Sequence, residues 1–207
     1  IGVLGGAGYV GLVTGVGLAA LGHQVVSQDI DQNRLEMLRD ARSAVYEDGL
    51  EPILRQLIDI DQISFTDDQP GTIRSSDAIF IAVGTPSLAD GAADLSAVIA
   101  VAEQLRDEIS KYTVVVVKST VPVGTIDVVT DILSQKLTPV EDCDVVSNTE
   151  FLREGSELMD FFAPSRIIVG SGSERARKVI RDMYEPLLEG HSVVKMPWID
   201  ASREIPY

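Results

Sequence analysis

The chain opens with Ile1-Gly-Val-Leu-Gly-Gly-Ala-Gly-Tyr-Val-Gly11, an apolar run that passes directly into the pattern G-x-G-x-x-G at Gly6, Gly8 and Gly11. In this pattern Gly6 lets the chain turn tightly out of a strand, and Gly8 lets a phosphate approach backbone N–H groups. Gly11 lets the following helix pack close to the strand. The stretch therefore predicts a strand, a bend and a helix that together hold a dinucleotide.

The start of the predicted helix supplies the anion-binding atoms. Tyr9 and Val10 are its first residues, and their N–H groups, with the positive end of the helix dipole, stabilise phosphate charge without a lysine. A lone glycine pattern also occurs in ordinary tight loops, so its context decides. Residues 9–21 are apolar and rich in small side chains, as expected of a helix packed on a sheet.

An acidic residue follows the next apolar run. Residues 24–28 predict a second strand, and Asp29 at its end is placed to accept hydrogen bonds from both ribose hydroxyls of an adenosine. A carboxylate there repels a 2′-phosphate, so NAD is favoured over NADP. Arg34 covers the adenine or ribose edge, attracts a phosphate, or is a solvated helix side chain; with Asp29 in place we favour the first interpretation.

Composition narrows the class of protein and its partners. The formal net charge is -15 and the sequence pI is about 4.4, which argues against nucleic acid and anionic membranes as partners. No apolar run reaches the ~18 to 20 residues of a membrane span, and we expect no secretory leader of the basic, apolar kind. Cys143 alone cannot form an internal disulfide and suits a reducing cytoplasm, where we expect the protein. We expect no metal site.

Strand-like apolar runs alternate with helical patterns along the whole chain. This alternation predicts an α/β, doubly wound, mostly parallel, Rossmann-like sheet covered on both faces. Strands are predicted at 24–28, 63–66, 78–83, 114–117, around 145–146 and at 166–169, and helices at 9–21, 31–40, 50–60, 95–109, 125–137 and 174–188. We expect one domain over residues 1–190 and a tail at 191–207.

Polar loops follow three of the predicted strands, at 84–87, 118–122 and 147–155. In a doubly wound sheet, ligands collect outside the carboxyl ends of the strands. The three loops are therefore expected to form one crevice.

Six blocks, in order along the chain, resemble the UDP-glucose/GDP-mannose dehydrogenase family, specifically its N-terminal NAD-binding domain. They cover about residues 1–190 and comprise Gly8-Tyr-Val-Gly-Leu12, Asp29-Ile-Asp31, Tyr46-Glu-Asp-Gly-Leu50, Phe80-Ile-Ala-Val-Gly-Thr-Pro86, Val117-Lys-Ser-Thr-Val-Pro-Val-Gly124 and Glu150-Phe-Leu-Arg-Glu-Gly155. Any one block could arise by chance, but six in order are highly specific. The last block and residues 164–170 look closer to the UDP-glucose branch than to the UDP-N-acetylhexosamine branch, and the GDP-mannose branch stays open.

The resemblance implies a four-electron oxidation of a sugar-nucleotide C6 alcohol to a uronic acid, with two NAD and a cysteine thioester. It implies that Thr120 and Glu150 hold the water and proton network beside the reacting carbon, and that Thr85, Ser119 and Thr120 contact NAD. It also implies a UDP-sugar substrate and a homodimer or larger assembly formed through other regions. The loop expected to line the substrate pocket, partly through its backbone, consists of Phe151, Leu152, Arg153 and Glu154.

The chain departs from the family pattern at two points. The glycine-rich block with the nucleophilic cysteine is missing, and acidic neighbours raise the pKa of Cys143, so we reject it as the nucleophile. The chain thus resembles the N-terminal part of a larger enzyme, inactive alone, whose central helix and C-terminal domain would follow the tail. Proline is usual in the family where Thr149 stands, which leaves the turn before Glu150 less constrained.

Two rival interpretations remain. A non-catalytic NAD-binding module needs the glycines and Asp29 but has no use for Thr120 and Glu150. A hydroxyacid dehydrogenase of the 6-phosphogluconate kind shares the sheet but would require a catalytic lysine motif that the sequence does not show.

Overall fold

A computed structural model of the protein describes residues 1–153 and 155–188, and Glu154 and the tail lie outside them. Strands and helices alternate along the chain. The strands are β1 Gly2–Leu4, β2 Val25–Gln28, β3 Ile63–Thr66, β4 Ala78–Ile81, β5 Thr113–Val117 and β6 Cys143–Ser147. The helices are α1 Tyr9–Ala20, α2 Gln32–Arg39, α3 Leu50–Asp59, α4 Gln69–Ser75, α5 Ser96–Glu108, α6 Thr125–Ser134, α7 Glu157–Phe162 and α8 Glu174–Leu188.

The strands form one parallel sheet in the order β3-β2-β1-β4-β5-β6. The order reverses between β1 and β4, so loops from both halves of the sheet diverge there and leave a crevice at the carboxyl ends of the strands. The predicted α/β, doubly wound class is confirmed.

In β1, β4, β5 and β6, alternate residues enter two separate apolar layers, because successive side chains point to opposite faces. In β1, Val3 packs into the layer under α1, α3, α7 and α8, and Leu4 packs into the layer under α4, α5 and α6. In β4, Phe80 belongs to the first layer, and Ile79 and Ile81 belong to the second. Helices on both faces explain why these strands read as continuous apolar runs.

Two helices that the sequence pattern did not predict complete the layers. Helix α4 is short and contains Pro70 and Gly71, and it begins at Asp68, whose carboxylate accepts a hydrogen bond from the Gly71 N–H at 2.9 Å. Helix α7 has too few turns to show a helical period, but it buries Leu158 and Phe161 against α1.

The strand predicted at 166–169 is wrong. The residue of this region that pairs with β6 is Gly170, just after the predicted strand, through two antiparallel hydrogen bonds to Ser147 of 2.8 Å each. The Asn148 side-chain amide donates a hydrogen bond to the Ile168 carbonyl oxygen at 2.8 Å. In a strand, this carbonyl would instead accept a hydrogen bond from a backbone N–H. The apolar residues of this segment serve as packing and as a wall of the crevice.

Within the described residues, no helix combines the length and the apolar character that crossing a bilayer would demand. The same residues bring together no group of three or more His, Cys, Asp or Glu side chains that could hold a metal ion.

Candidate cofactor and active site

The glycine bend is held by one carbonyl. The N–H groups of Gly5 and Gly6 both donate to the Gln28 oxygen, at 3.0 and 2.8 Å. The sequence pattern assigned the tight turn to Gly6, but the residue with positive φ is Gly5, at 83°. A Cβ on Gly6 would lie 2.8 Å from the Ser27 side chain, so Gly6 is required for close approach to β2.

The first turn of α1 offers free donors to an anion. Gly8 precedes the helix without a side-chain cap, and no acidic residue lies in the first turn. Because the first N–H groups of a helix have no partner inside it, Tyr9 and Val10 present theirs to the crevice. A Cβ on Gly8 would meet only the Gly5 oxygen, at 3.3 Å, whereas a Cβ on Gly11 would lie 2.1 Å from it. Gly8 thus keeps space open above the bend, and Gly11 allows the helix to approach it.

Asp29 joins the end of β2 to the bend. One carboxylate oxygen accepts a hydrogen bond from the Ala7 N–H at 2.9 Å, and the other accepts one from the Asp31 N–H at 3.1 Å. Each oxygen keeps a second lone pair for a ligand hydroxyl. Arg34 reaches back over the bend, with Nη1 3.5 Å from the Ala7 oxygen and Nε 3.4 Å from Asp31. The carboxylate and the guanidinium therefore flank the same edge of the bend.

The three strand-end loops meet, as the crevice argument predicted. The Thr85 hydroxyl donates to the Thr120 carbonyl oxygen at 2.8 Å, and the Thr120 hydroxyl donates to Glu150 Oε1 at 2.7 Å. Ser119 is buried and donates to the Val83 oxygen at 2.7 Å. Thr120 thus bonds Thr85 through its backbone carbonyl and Glu150 through its hydroxyl, whereas the Ser119 hydroxyl is turned into the protein.

The loop expected to line a substrate pocket is only partly free to do so. Phe151 is 43% exposed and carries the Arg166 guanidinium 4.6 Å from its ring centroid. Leu152 packs on the core. Arg153 binds Asp160 through its backbone N–H and two guanidinium nitrogens, at 3.0, 2.9 and 2.6 Å, so its charge is already paired. Glu154 lies outside the described residues.

Tyr9 and Glu47 connect the bend to this loop, a role that local spacing does not reveal. The Tyr9 hydroxyl accepts a hydrogen bond from the Gly155 N–H at 2.9 Å and donates to Glu47 Oε1 at 3.4 Å. The same carboxylate oxygen accepts the Glu157 N–H at 2.6 Å. Glu47 is buried, so these hydrogen bonds hold the loop from inside the protein. Tyr46, its neighbour, is 84% exposed.

Cys143 and His23 lie away from the crevice. Cys143 begins β6, at the opposite end of the strand, and burial, aided by Asp144 and Asp142, raises the pKa of its thiol to about 11. His23 Nε2 lies 2.9 Å from the Met183 oxygen and ties the end of α1 to α8. The raised pKa of Cys143 and its distance from the crevice agree with its rejection as the nucleophile.

Over residues 1–188, the sequence matches the NAD-binding domain of the UDP-glucose/GDP-mannose dehydrogenase family. The chain belongs to this family. Its cofactor is NAD, and the resemblance carried by the six blocks is confirmed. The groups around the bend fit this cofactor, because free helix N–H groups suit its pyrophosphate and the Asp29 carboxylate suits its ribose.

Individual relatives agree with this assignment. The chain is 46% identical over 185 residues to UDP-glucose 6-dehydrogenase of Rhizobium meliloti, covering 88% of this chain and 42% of that protein. It is 44% identical over 192 residues to UDP-glucose 6-dehydrogenase of Pseudomonas aeruginosa, covering 91% and 42%. The chain therefore spans less than half the length of these relatives.

Two solved structures share the fold. A UDP-glucose dehydrogenase from Pyrobaculum islandicum superposes with a TM-score of 0.84 at 44% identity, over 90% of this chain and 44% of that one. A GDP-mannose dehydrogenase from Pseudomonas aeruginosa, solved as a ternary complex, gives a TM-score of 0.85 at 31% identity, over 89% and 43%. The doubly wound fold is therefore shared with dehydrogenases named for two different sugar nucleotides.

Proposed function

We propose that this chain is the cofactor half of an NAD-dependent sugar-nucleotide 6-dehydrogenase that converts UDP-glucose to UDP-glucuronate. The observation that carries the proposal is the hydrogen-bonded chain of Thr85, Thr120 and Glu150 at the strand ends. A protein that only bound NAD would need the bend and Asp29, but it would have no need to aim a carboxylate into the crevice.

The bend and its flanks divide the work of holding NAD. The first-turn N–H groups of Tyr9, Val10 and Gly11 receive the pyrophosphate, and Asp29 receives the adenosine ribose hydroxyls. Arg34, which lies over the bend, covers the adenine side. Thr85, Ser119 and Thr120 form the strand-end wall beside the nicotinamide half. When bound, the cofactor supplies the hydride acceptor for alcohol oxidation.

Glu150 is the group best placed to manage protons at the reacting carbon. Its Oε1 is held by the Thr120 hydroxyl, and its Oε2 is buried and has no hydrogen-bond partner among the described residues. A carboxylate oxygen fixed in this way can accept a proton from an alcohol or a water without reorganising. Thr120 fixes that aim despite the threonine that replaces the usual proline at Thr149. The cysteine that carries the thioester would lie outside this chain.

UDP-glucose is proposed as the substrate because relatives named UDP-glucose 6-dehydrogenase share 44% to 46% of their aligned residues with this chain. GDP-mannose is the alternative, favoured by the fold shared with a GDP-mannose dehydrogenase. Phe151 and Leu152, with the backbone of Arg153, are the proposed pocket wall, and Glu154 is proposed from the resemblance alone. We further propose a cytoplasmic enzyme that assembles as a homodimer or a larger oligomer through regions outside this chain.

The cofactor part of the proposal is tested by calorimetry on the chain itself. NAD should bind more tightly than NADP, because the Asp29 carboxylate attracts two hydroxyls and repels a 2′-phosphate. Asp29→Ala should weaken NAD binding about tenfold or more, the size expected when a charge-assisted hydrogen-bond acceptor is lost. Asp67→Ala, just after β3, is the matched control and should leave the affinity for NAD unchanged. Equal affinity for the two nucleotides would refute the ribose assignment.

The substrate part is tested on the full-length gene product. Reduction of NAD is followed with UDP-glucose, UDP-N-acetylglucosamine and GDP-mannose as separate substrates, with two NAD reduced per sugar expected for UDP-glucose. Turnover of GDP-mannose in preference to UDP-glucose would establish the alternative. No turnover of any of the three would refute the proposed enzymatic activity, but it would not contradict the proposal that the chain binds NAD.

A further inference from the structure

Lys118 is a buried lysine that takes no part in the chemistry proposed for Thr120 and Glu150. It follows β5 directly and retains 6% of its exposure. Its Nζ donates to Asn148 Oδ1 at 3.3 Å, and no carboxylate of the described residues lies within 4.0 Å of it. Removing an ammonium from water costs several kcal/mol, so an apolar side chain would stabilise the fold better at this position. Such a residue is a candidate for function.

Asn148 is locked so that its oxygen faces Lys118. Its Nδ2 donates to the Ile168 oxygen at 2.8 Å, which leaves Oδ1 as the acceptor for both Lys118 and the Tyr184 hydroxyl, the latter at 3.0 Å. Burial raises the pKa of Tyr184, so its hydroxyl remains a donor. Three elements, β5, β6 and α8, thus hold the ammonium in one place.

Lys118 and Glu150 line the same cleft, whose space of about 60 Å³ is large enough for a water or two. Burial lowers the pKa of Lys118 to about 8, and the charge of Glu150 acts in the opposite direction. The other charged groups on the cleft are Asp160, which is paired with Arg153, and Arg166, which lies over Phe151. Glu150 is therefore the acid that the Lys118 charge chiefly acts upon.

We propose that Lys118 is a positioning residue: its ammonium, fixed by Asn148, places a positive charge in the cleft that Glu150 lines and so keeps the free Oε2 of that carboxylate available to accept a proton from the substrate or a water. The inference rests on the proposed function, because it assigns the charge that Glu150 needs for its role. It explains why a buried carboxylate oxygen with no hydrogen-bond donor among the described residues is tolerated, since a nearby positive charge compensates for part of its lost hydration.

The coupling of the two charges is measured by NMR titration of the chain with isotope-labelled lysine and glutamate. Lys118 should titrate below the exposed lysines, and Glu150→Gln should lower its midpoint by about 1 pH unit, the size of one charge acting over several ångströms in a partly buried cleft. Asp160→Asn is the matched control on the same cleft, and it should move Lys118 less because Arg153 already compensates that carboxylate. An unmoved Lys118 in Glu150→Gln, or a larger shift in Asp160→Asn, would overturn the proposal.

Lys118→Met supplies the reciprocal measurement. In the full-length gene product it should move the acid limb of the kcat profile to higher pH while KM for NAD stays constant, because a nearby positive charge favours the ionised form of a carboxylate. A uniform loss of activity with no shift of the profile would show a purely structural role. Should this variant fail to fold, the Glu150→Gln and Asp160→Asn titrations still decide. None of the titrations needs NAD or substrate, so their failure is separate from failure of the proposed function.

Discussion

The glycine bend and the strand-end loops are the two halves of the crevice, and they are built on different principles. At the bend the chain contributes mainly backbone atoms from a few consecutive residues, and Asp29 is the principal side chain involved. At the strand ends it contributes the side chains of Thr85, Thr120 and Glu150, which lie far apart in the sequence. Substitutions that add atoms at the bend should therefore impair folding or NAD binding. At the loops, removal of a single functional group should be enough to impair the chemistry.

The largest expected effect falls on the strand-end half. Glu150→Gln keeps the shape of the side chain but removes its charge, so turnover of the full-length gene product should fall about 10²-fold to 10⁴-fold, the range of general acid–base contributions. NAD affinity, which depends on the bend, should stay within about twofold of the original, far less than the tenfold that 1.4 kcal/mol would give. Steady-state kinetics and calorimetry measure the two quantities.

Glu103→Gln, on the exposed face of α5, is the matched control for this change, and it should alter neither quantity. If Glu150→Gln turned over normally, the carboxylate would have no part in the chemistry and the two halves would not differ as argued.

The next effect tests the sterics of the bend. Gly11→Ala places a methyl group 2.1 Å from the Gly5 carbonyl oxygen, so the helix must move away from the strand. We expect a loss of about 2 to 3 kcal/mol in the free energy of unfolding, typical of overpacking in a close-packed region, together with loss of NAD binding. Denaturant unfolding gives the first and calorimetry the second.

Gly172→Ala is the control for Gly11→Ala, because nothing lies within 4 Å of a Cβ at that position. A Gly11→Ala protein of unchanged stability would mean that α1 does not need its close approach to the bend.

A smaller effect separates binding from folding within the bend. A methyl group at Gly8 meets only the Gly5 oxygen, at 3.3 Å, so Gly8→Ala should fold with nearly normal stability. It occupies the space above the first-turn N–H groups, so we expect NAD affinity to fall about tenfold, or 1.4 kcal/mol. Calorimetry beside an unfolding curve tests this, and a parallel loss of both properties would contradict the division between Gly8 and Gly11.

The difference between the bend and the strand-end loops also explains which features the sequence predicts. The bend, Asp29 and the alternation of strands and helices are local patterns, so the sheet class and the cofactor followed from them. The tight turn was misplaced by one residue, at Gly6, because the G-x-G-x-x-G pattern does not distinguish the positive φ of Gly5 from the close packing of Gly6.

The strand-end chemistry was less accessible for a physical reason. Thr120 and Glu150 lie thirty positions apart, and only the fold brings their side chains to 2.7 Å, so a family resemblance was needed to connect them. Lys118 and Asn148 are likewise thirty positions apart, and Lys118 could not be assigned because burial, and not its neighbours in sequence, makes it unusual. The 166–169 segment has the apolar composition of a strand, and the Asn148 side chain that competes for its carbonyl could not be anticipated.

The smallest expected effect concerns the link between the two halves. Tyr9→Phe removes the hydroxyl that accepts the Gly155 N–H at 2.9 Å and donates to Glu47 at 3.4 Å. We expect a loss of about 1 kcal/mol in the free energy of unfolding, the value of an ordinary hydrogen bond, and faster amide exchange at Gly155 and along α7. Tyr46→Phe is the matched control, because that ring is exposed. Exchange that is unchanged in Tyr9→Phe would mean that Glu47, through the Glu157 N–H, holds the loop without help from the bend. Faster exchange would show that Tyr9, which follows Gly8 of the bend, also orders the loop that carries Glu150.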